Sequence, residues 1–322
     1  MGILKFFFRQ LLWVLTLFLC ACSVAKYDPL TILGKQGVLY STHQLLSQQD
    51  CQGALALILP VYGSTGTDND VRMLTASAYS CYAGVNFFKL IGDLNSNSSR
   101  LADRQFWGLL TQLFPSAAGD RKAEYTSYAI EALQSVIPAG TTVPPASQIN
   151  PGTPNIGSIY STDRSIDSNE YLTFVAMAAI GTYQNRYGTP NPATFVKTVN
   201  LPWTTAAALT PDGCAYASAI VNFSDALDVV TQNTTGVYQQ LLMGIKTNFQ
   251  ATIYTACDRG CQNSNPGGGW VPSGCTVTTA CATCPIGLRD RNRCTGQNND
   301  QVSCAAAGIV NFINTDLVFG WN

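Results

Sequence analysis

Two apolar segments separated by a turn make up residues 50–84, which read DCQGALALILPVYGSTGTDNDVRMLTASAYSCYAG. The first segment has apolar residues at helical spacing as far as Leu59. Pro60 and the Gly-Ser-Thr-Gly stretch at 63–66 then interrupt the helical pattern. This part of the chain therefore predicts a helix followed by a turn.

A second helix is predicted after the turn. It begins near Asp68 or Asp70, whose carboxylates suit a helix N-terminus, and continues to about Leu94. The first helix is expected to begin at Ser41, which forms a capping box with Gln44. Two helices joined by a turn of this kind pack side by side in opposite directions, so the sequence predicts a helical hairpin.

Two cysteines are placed symmetrically about the turn of this hairpin. The turn is centred near residue 65 or 66, with Cys51 about 15 residues before it and Cys81 about 15 residues after it. Both helices rise equally per residue, so the two cysteines come level with each other. A disulfide here would contribute roughly 2–4 kcal/mol to stability. The alternative is a pair of buried free thiols on adjacent helices.

The hairpin resembles the second helix of one tetratricopeptide repeat followed by the first helix of the next. The resemblance covers about 35 residues and rests on the start Asp-Cys-Gln-Gly-Ala-Leu, the turn Asp-Asn-Asp, and Leu74, Ala76, Ala78, Tyr79 and Gly84. It implies that Ala76 and Ala78 let neighbouring helices approach closely while Tyr79 and Tyr82 fill the groove. It also implies protein–protein scaffolding, whereas an ordinary helical hairpin is the alternative.

The chain after the hairpin is also expected to be helical. Further helices are predicted over 101–114, 120–137, 168–187, 211–231, 235–256 and 301–319. The fold class is therefore mainly α, with antiparallel hairpins in a bundle or solenoid. A segment rich in Pro, Gly, Ser and Thr at 138–166 is predicted to be a linker or a long surface loop between an N-terminal region, 41–137, and a C-terminal region, 167–322.

A cysteine-rich insertion is predicted at 257–299, where apolar residues are few. Its six cysteines are Cys257, Cys261, Cys275, Cys281, Cys284 and Cys294. A segment of this kind cannot stabilise itself by burial, so structural disulfides are expected. Two alternatives stay open: a thiolate metal site that combines the Cys281/Cys284 and Cys257/Cys261 pairs, and a redox site at Cys281 and Cys284.

Two further cysteines begin similar helical segments. Cys214 and Cys304 each precede an Ile-Val-Asn-Phe motif and each lie in the first turn or so of a predicted helix. A Cys214–Cys304 disulfide is therefore predicted.

The first 21 residues have the layout of a secretory signal peptide. Lys5 and Arg9 precede the apolar stretch 11–19, which is short for a transmembrane helix, and small residues follow it. An exported chain reaches an oxidising compartment, where disulfides form.

The end of this signal, Leu19-Cys20-Ala21-Cys22, resembles the lipobox of bacterial lipoproteins. The resemblance implies cleavage before Cys22 and acylation of that residue, and Ser23 after it implies retention at the outer membrane. Several acyl chains on one residue hold a protein stably on a bilayer. Residues 22–40 would then form a tether. The alternatives are acylation at Cys20, and ordinary cleavage that leaves Cys22 as a free or paired thiol.

The composition excludes several classes of function. Formal net charge is -1 and charged residues are 11%, with no Lys/Arg run, which argues against nucleic-acid binding. His43 is the one histidine, so a site that needs two histidines is excluded. The sequence singles out no catalytic, cofactor-binding or metal-ligating set.

These observations predict a membrane-anchored exported lipoprotein without enzymatic activity, which acts as a helical interaction or structural module of the bacterial envelope. Its partners would be the lipid bilayer, through acylated Cys22, and an envelope protein. The alternative is a substrate-binding or hydrolytic lipoprotein that acts on glycan or peptide, since low charge with abundant Thr, Asn, Gln and Tyr suits such contacts.

Overall fold

The computed structural model describes residues 28, 31–64, 68–96, 106–117, 119–134, 136, 166–187, 211–236 and 239–246. The predicted signal peptide with Cys22, nearly all of the linker, the cysteine-rich insertion and the helix predicted over 301–319 lie outside the described residues.

The described part of the chain is mainly helical and contains no strand, which confirms the prediction of a mainly α protein. Its helices are α1 (Ile32–Ser47), α2 (Cys51–Ser64), α3 (Asn69–Tyr82), α4 (Phe87–Ser96), α5 (Phe106–Leu113), α6 (Lys122–Gln134), α7 (Ile166–Tyr187) and α8 (Pro211–Asn233). Residues 239–246 are helical as well.

The helices pack largely in their order along the chain. α1 packs against α2 and α3, and α2 packs against α3. α3 then contacts α6, α6 contacts α7, and α7 also packs against α5 and α8. Because α3 contacts helices on both sides, it joins the first three helices to the rest of the described structure.

Two hydrophobic clusters form the core. The smaller one is built from α1, α2 and α3, and its buried residues are Val38, Ala54, Leu55, Ile58, Val61, Val71, Leu74 and Ala78. The larger one begins at Ala76 and extends through α6 and α7 to α8. Ala76 and Ala78 are both fully buried, one in each cluster, so α3 places a small residue against each set of neighbours.

Helix α7 lies deep in the larger cluster. Every residue from Leu172 to Gln184 is buried, as expected for a helix that is surrounded by other helices. At Gly181 an added Cβ atom would lie 2.4 Å from the backbone oxygen of Leu110 in α5. The absence of a side chain at Gly181 therefore allows α5 and α7 to cross at this distance.

Helix α1 begins earlier than the sequence pattern predicts. Its N-cap is Thr31, whose Oγ1 accepts a hydrogen bond from the backbone N–H of Gly34 at 3.0 Å. Ser41 lies inside α1, so the prediction of a helix start there is wrong. Thr31 caps the helix well before Ser41, because its side chain accepts from a backbone N–H of the first turn. Helix α1 therefore occupies part of the segment 22–40 that was predicted to be a tether.

A turn at residues 48–50 separates α1 from α2, where the sequence predicted one continuous helix. Gln49 has a φ of 61°. Its N–H donates to the carbonyl of Leu46 at 3.0 Å, and the N–H of Asp50 donates to the carbonyl of Leu45 at 2.9 Å. This is a Schellman ending. Asp50 then caps α2, since its Oδ1 accepts from the N–H of Gly53 at 2.9 Å.

Pro60 does not end α2, contrary to the prediction. The helix continues to Ser64, at the predicted Gly-Ser-Thr-Gly stretch, with Pro60 inside it. Proline lacks the N–H that would bond the carbonyl of Ala56. Both residues are exposed, so water can serve that carbonyl.

The helix predicted from Asp68 to Leu94 is divided into α3 and α4. Gly84 has a φ of 77°. Its N–H donates to the carbonyl of Cys81 at 2.9 Å, and the N–H of Val85 donates to the carbonyl of Ser80 at 2.9 Å. Glycine adopts this left-handed conformation readily, so it ends α3.

The predicted disulfide between Cys51 and Cys81 is confirmed. It joins the first residue of α2 to the last turn of α3, with the two Cα atoms 5.4 Å apart. It therefore closes the open end of the hairpin, opposite the turn.

Candidate functional site

Four tyrosines of α3 and α6 form a cluster, called here the tyrosine surface: Tyr79, Tyr82, Tyr125 and Tyr128. The rings of Tyr82 and Tyr125 have centroids 4.3 Å apart. Tyr79 lies 5.3 Å from Tyr128 and 5.9 Å from Tyr125, and Tyr125 lies 6.0 Å from Tyr128. These tilted and edge-on arrangements are the favourable ones for aromatic pairs.

Helical spacing and small residues position the tyrosine surface. Tyr79 and Tyr82 are three residues apart on α3, and Tyr125 and Tyr128 are three apart on α6, so each pair shares one helix face. The packed helices α3 and α6 carry fully buried alanines such as Ala76. Small residues let the two helices approach closely enough for the four rings to meet.

The tyrosine surface is partly open to solvent. Tyr82 is 41% exposed, and the other three rings are partly buried. The guanidinium carbon of Arg121 lies 5.1 Å from the ring centre of Tyr125, within cation–π range. Burial, together with neighbouring groups that include Tyr62 and Tyr128, raises the pKa of Tyr79 to about 12.

A cleft of about 340 Å³ lies between the start of α4 and the end of α5. Its apolar lining includes Leu90, Leu113 and Phe114. Its polar lining includes Lys89, Asp93, Gln112 and Lys122. This size and mixed lining are within the range of small-molecule sites.

The charged groups of the cleft already have partners. Lys89 forms an ion pair with Asp93, and the ammonium group of Lys122 donates to the carbonyl of Pro115 at 3.1 Å. The Nε2 atom of Gln112 is buried and makes no hydrogen bond with the described residues.

A separate group of charges, the Arg186 node, joins α6, α7 and α8. Arg186 donates two hydrogen bonds to Glu124, at 3.0 and 2.8 Å, and one to Asp212 at 3.1 Å. It also donates to the carbonyl of Asp120 at 2.8 Å. The hydroxyl of Tyr187 donates to Asp212 at 2.6 Å. The two carboxylates are thus engaged in holding three helices together.

The electrostatics of the Arg186 node follow from this geometry. Burial alone would raise the pKa of Glu124, but the hydrogen bonds and charge of Arg186 outweigh it and lower that pKa. The hydrogen bond from Arg186 to Glu124 raises the pKa of Arg186 in turn. Burial and the bond to Asp212 raise the pKa of Tyr187. Near neutral pH, Glu124 therefore stays ionised, Arg186 stays protonated and Tyr187 stays neutral.

The structure places some of the residues singled out in the sequence, and others lie outside the described part of the chain. Cys51 and Cys81 form their disulfide, and His43 is exposed on α1. Cys214 is fully buried in α8 and disulfide-bonded, while its predicted partner Cys304 lies outside the described residues. Cys22 and the six cysteines of the insertion also lie outside them.

Sequence reasoning missed Tyr125, Tyr128 and the Arg186 node. The spacing of Tyr125 and Tyr128 was visible in the sequence, but nothing local paired them with α3. In the part of the chain that the structure describes, no group of three or more His, Cys, Asp or Glu side chains could hold a metal ion. No helix there has both the length and the apolar content needed to cross a membrane.

Comparison with known proteins gives no match for the chain among family models, curated proteins or solved structures.

Proposed function

We propose that the chain is an exported lipoprotein whose helical part is a protein–protein interaction or structural module of the bacterial envelope. Cys22 carries the acyl chains that hold it at the outer membrane, and its partners are the bilayer and an envelope protein. The lipobox pattern Leu19-Cys20-Ala21-Cys22 supports the anchoring. The tyrosine surface is the observation that carries the interaction role.

The tyrosine surface has the chemistry of a protein contact. Tyrosine and arginine are enriched among interface residues and among those whose truncation costs most binding energy. Tyr82 is exposed and packed against Tyr125, with Arg121 beside it. Mutual ring contacts hold the side chains in place before binding, so less conformational entropy is lost on association.

The arrangement of α2 and α3 is proposed to be tetratricopeptide-like. Each of these helices packs against the other and against α1, and α3 continues to α6, which supports a layered stack of helices. In such a stack the tyrosine surface belongs to a helical face that is available to a partner.

The test is affinity capture of the membrane-extracted protein from its native host, followed by mass spectrometry. We expect one stoichiometric envelope protein. The double substitution Tyr82→Ala and Tyr125→Ala should weaken its capture by about tenfold or more, the effect of losing about 1.4 kcal/mol. Ile166→Ala is the matched variant, because Ile166 is 44% exposed and lies on α7. Equal capture by all forms would contradict this role of the tyrosine surface.

The cleft favours a second candidate, a substrate-binding or hydrolytic lipoprotein that acts on glycan or peptide. The observation in its favour is a cleft of about 340 Å³ whose polar lining includes Gln112 and Lys122. Its test is calorimetric titration with cell-wall glycan and peptide fragments, followed by an assay for their turnover. Two results together would favour this candidate over the interaction module. The Gln112→Leu variant would no longer bind the fragments, and affinity capture would recover the protein without a partner.

A further inference from the structure

The outer face of α1 is apolar at its start and carries no acidic group. Its exposed positions are Ile32, Leu33, Gln36, Tyr40, His43, Gln44 and Ser47. Ile32, Leu33 and Tyr40 are 75%, 79% and 73% exposed, the highest values among the large hydrophobic side chains of the described residues. These three side chains share one face of α1, and exposed apolar side chains that share a face can form a contact surface for a membrane or a protein.

The orientation of this face is fixed by packing on the other side of α1. Val38 is buried in the cluster with α2 and α3, and Thr42 and Gly34 are buried as well. Lys35 forms an ion pair with Asp68, the N-cap residue of α3. The helix therefore cannot rotate to bury Leu33 without breaking these contacts.

The sequence limits how far this face can lie from the proposed lipid anchor. Thr31, the N-cap of α1, comes nine residues after Cys22. A fully extended chain spans at most about 3.6 Å per residue, so the start of α1 lies within roughly 32 Å of the acylated residue. The bilayer is therefore the surface that α1 meets at the highest effective concentration.

We infer that the outer face of α1 lies on the membrane, with Ile32, Leu33 and Tyr40 in the interfacial region of the bilayer. The inference rests on the proposed acylation of Cys22. Helices that lie in this region bury aliphatic side chains at the boundary between headgroups and acyl chains. Tyrosine suits the same depth because its ring is apolar and its hydroxyl remains hydrated. The orientation of the helical module on the membrane would follow from this contact.

Site-specific photo-cross-linking in membranes of the native host tests the inference. The full chain carries p-benzoylphenylalanine in place of Leu33 or Tyr40, or in place of Met243 as the matched position. All three side chains are exposed, Met243 at 46%, so the replacements leave the core intact. We expect adducts with acyl-labelled lipid at positions 33 and 40, at several times the yield found at 243.

Three outcomes would overturn the inference: adducts with a second copy of the chain, adducts with another protein, or no excess of lipid adducts over position 243. The fatty-acid label on Cys22 is measured in the same samples. If Cys22 carries no fatty acid, the proposed anchoring fails. If it carries the label and positions 33 and 40 give no lipid adduct, the face of α1 alone has been misassigned.

Discussion

Gln49 and Gly84 occupy equivalent positions at the ends of α1 and α3. Both have positive φ values, 61° and 77°, and both helices end in the same pair of backbone hydrogen bonds. A residue with a Cβ atom is strained in this conformation by about 1–2 kcal/mol, whereas glycine is not.

Gln49→Gly should therefore raise the free energy of unfolding by about 1 kcal/mol, and Gly84→Ala should lower it by a similar amount. Denaturant unfolding of the oxidised protein measures both. Gln48→Gly serves for comparison, because Gln48 has an ordinary φ of -87° and glycine there should give no gain. A loss of stability in Gln49→Gly would contradict the strain argument.

The crossing of α5 and α7 depends on one missing side chain. In Gly181→Ala the new Cβ would lie 2.4 Å from the oxygen of Leu110, a backbone atom that moves only with its helix. We expect a loss of roughly 1–3 kcal/mol in unfolding free energy, as for other overpacked cores. In Gly92→Ala the new Cβ meets nothing within 4 Å, so stability should stay the same or rise slightly. Equal effects at both glycines would be evidence against the close crossing.

The α2–α3 hairpin is held at its open end by the disulfide between Cys51 and Cys81, which are 30 residues apart in sequence. Replacing both by alanine should cost about 3–4 kcal/mol, since a loop of this length gains that much conformational entropy when it is opened in the unfolded chain. The midpoint of denaturant unfolding measures the cost. The double variant is preferable to chemical reduction, because Cys214 is also disulfide-bonded. An unchanged midpoint would show that the bridge does not stabilise the hairpin.

This hairpin was also the element that the sequence predicted best. The turn residues are contiguous and the register of the two cysteines is simple arithmetic, so both can be seen in the sequence. The helix boundaries were harder. Thr31 and Ser41 are both acceptable caps, and only the packing of Val38 against α2 and α3 determines which one begins α1. The conformation of Gln49 has no sequence signature.

The Arg186 node connects three helices that are distant in sequence. Glu124 is 62 residues from Arg186, and Asp212 is 26 residues from it. No local pattern brings such residues together, so sequence reasoning did not find the node. The sequence indicated only half of the tyrosine surface. Tyr79 and Tyr82 were expected to fill a groove, but their ring partners on α6 were not predicted.

The node predicts a dependence of stability on acid. The folded state lowers the pKa of Glu124 below its ordinary value of 4.5. The resulting stabilisation is fully present above the unfolded pKa and is lost as pH falls through the folded pKa. The free energy of unfolding should therefore decrease when the pH is lowered below about 4.5. In Glu124→Gln this decrease should be smaller, and the stability near pH 7 should be lower than in the wild type.

A second glutamate provides the comparison for this pH series. Burial and the charge of Asp167 raise the pKa of Glu170. Protonation of Glu170 therefore favours the folded state as the pH falls, which is the opposite of the effect of Glu124. In Glu170→Gln the loss of stability in acid should be at least as large as in the wild type. If the free energy of unfolding fell equally steeply with acid in the wild type and in Glu124→Gln, the assigned role of Arg186 would be contradicted.

Delivery of the helical module to a membrane by acyl chains on Cys22 is the premise of the proposed function. Metabolic labelling with a fatty acid in the native host, followed by membrane fractionation, tests this directly. We predict that the wild type carries the label and sediments with membranes, and that Cys22→Ala loses the label and most of its membrane association. A Cys22→Ala protein that kept both the label and its place in the membrane fraction would show that Cys22 is not the lipid anchor.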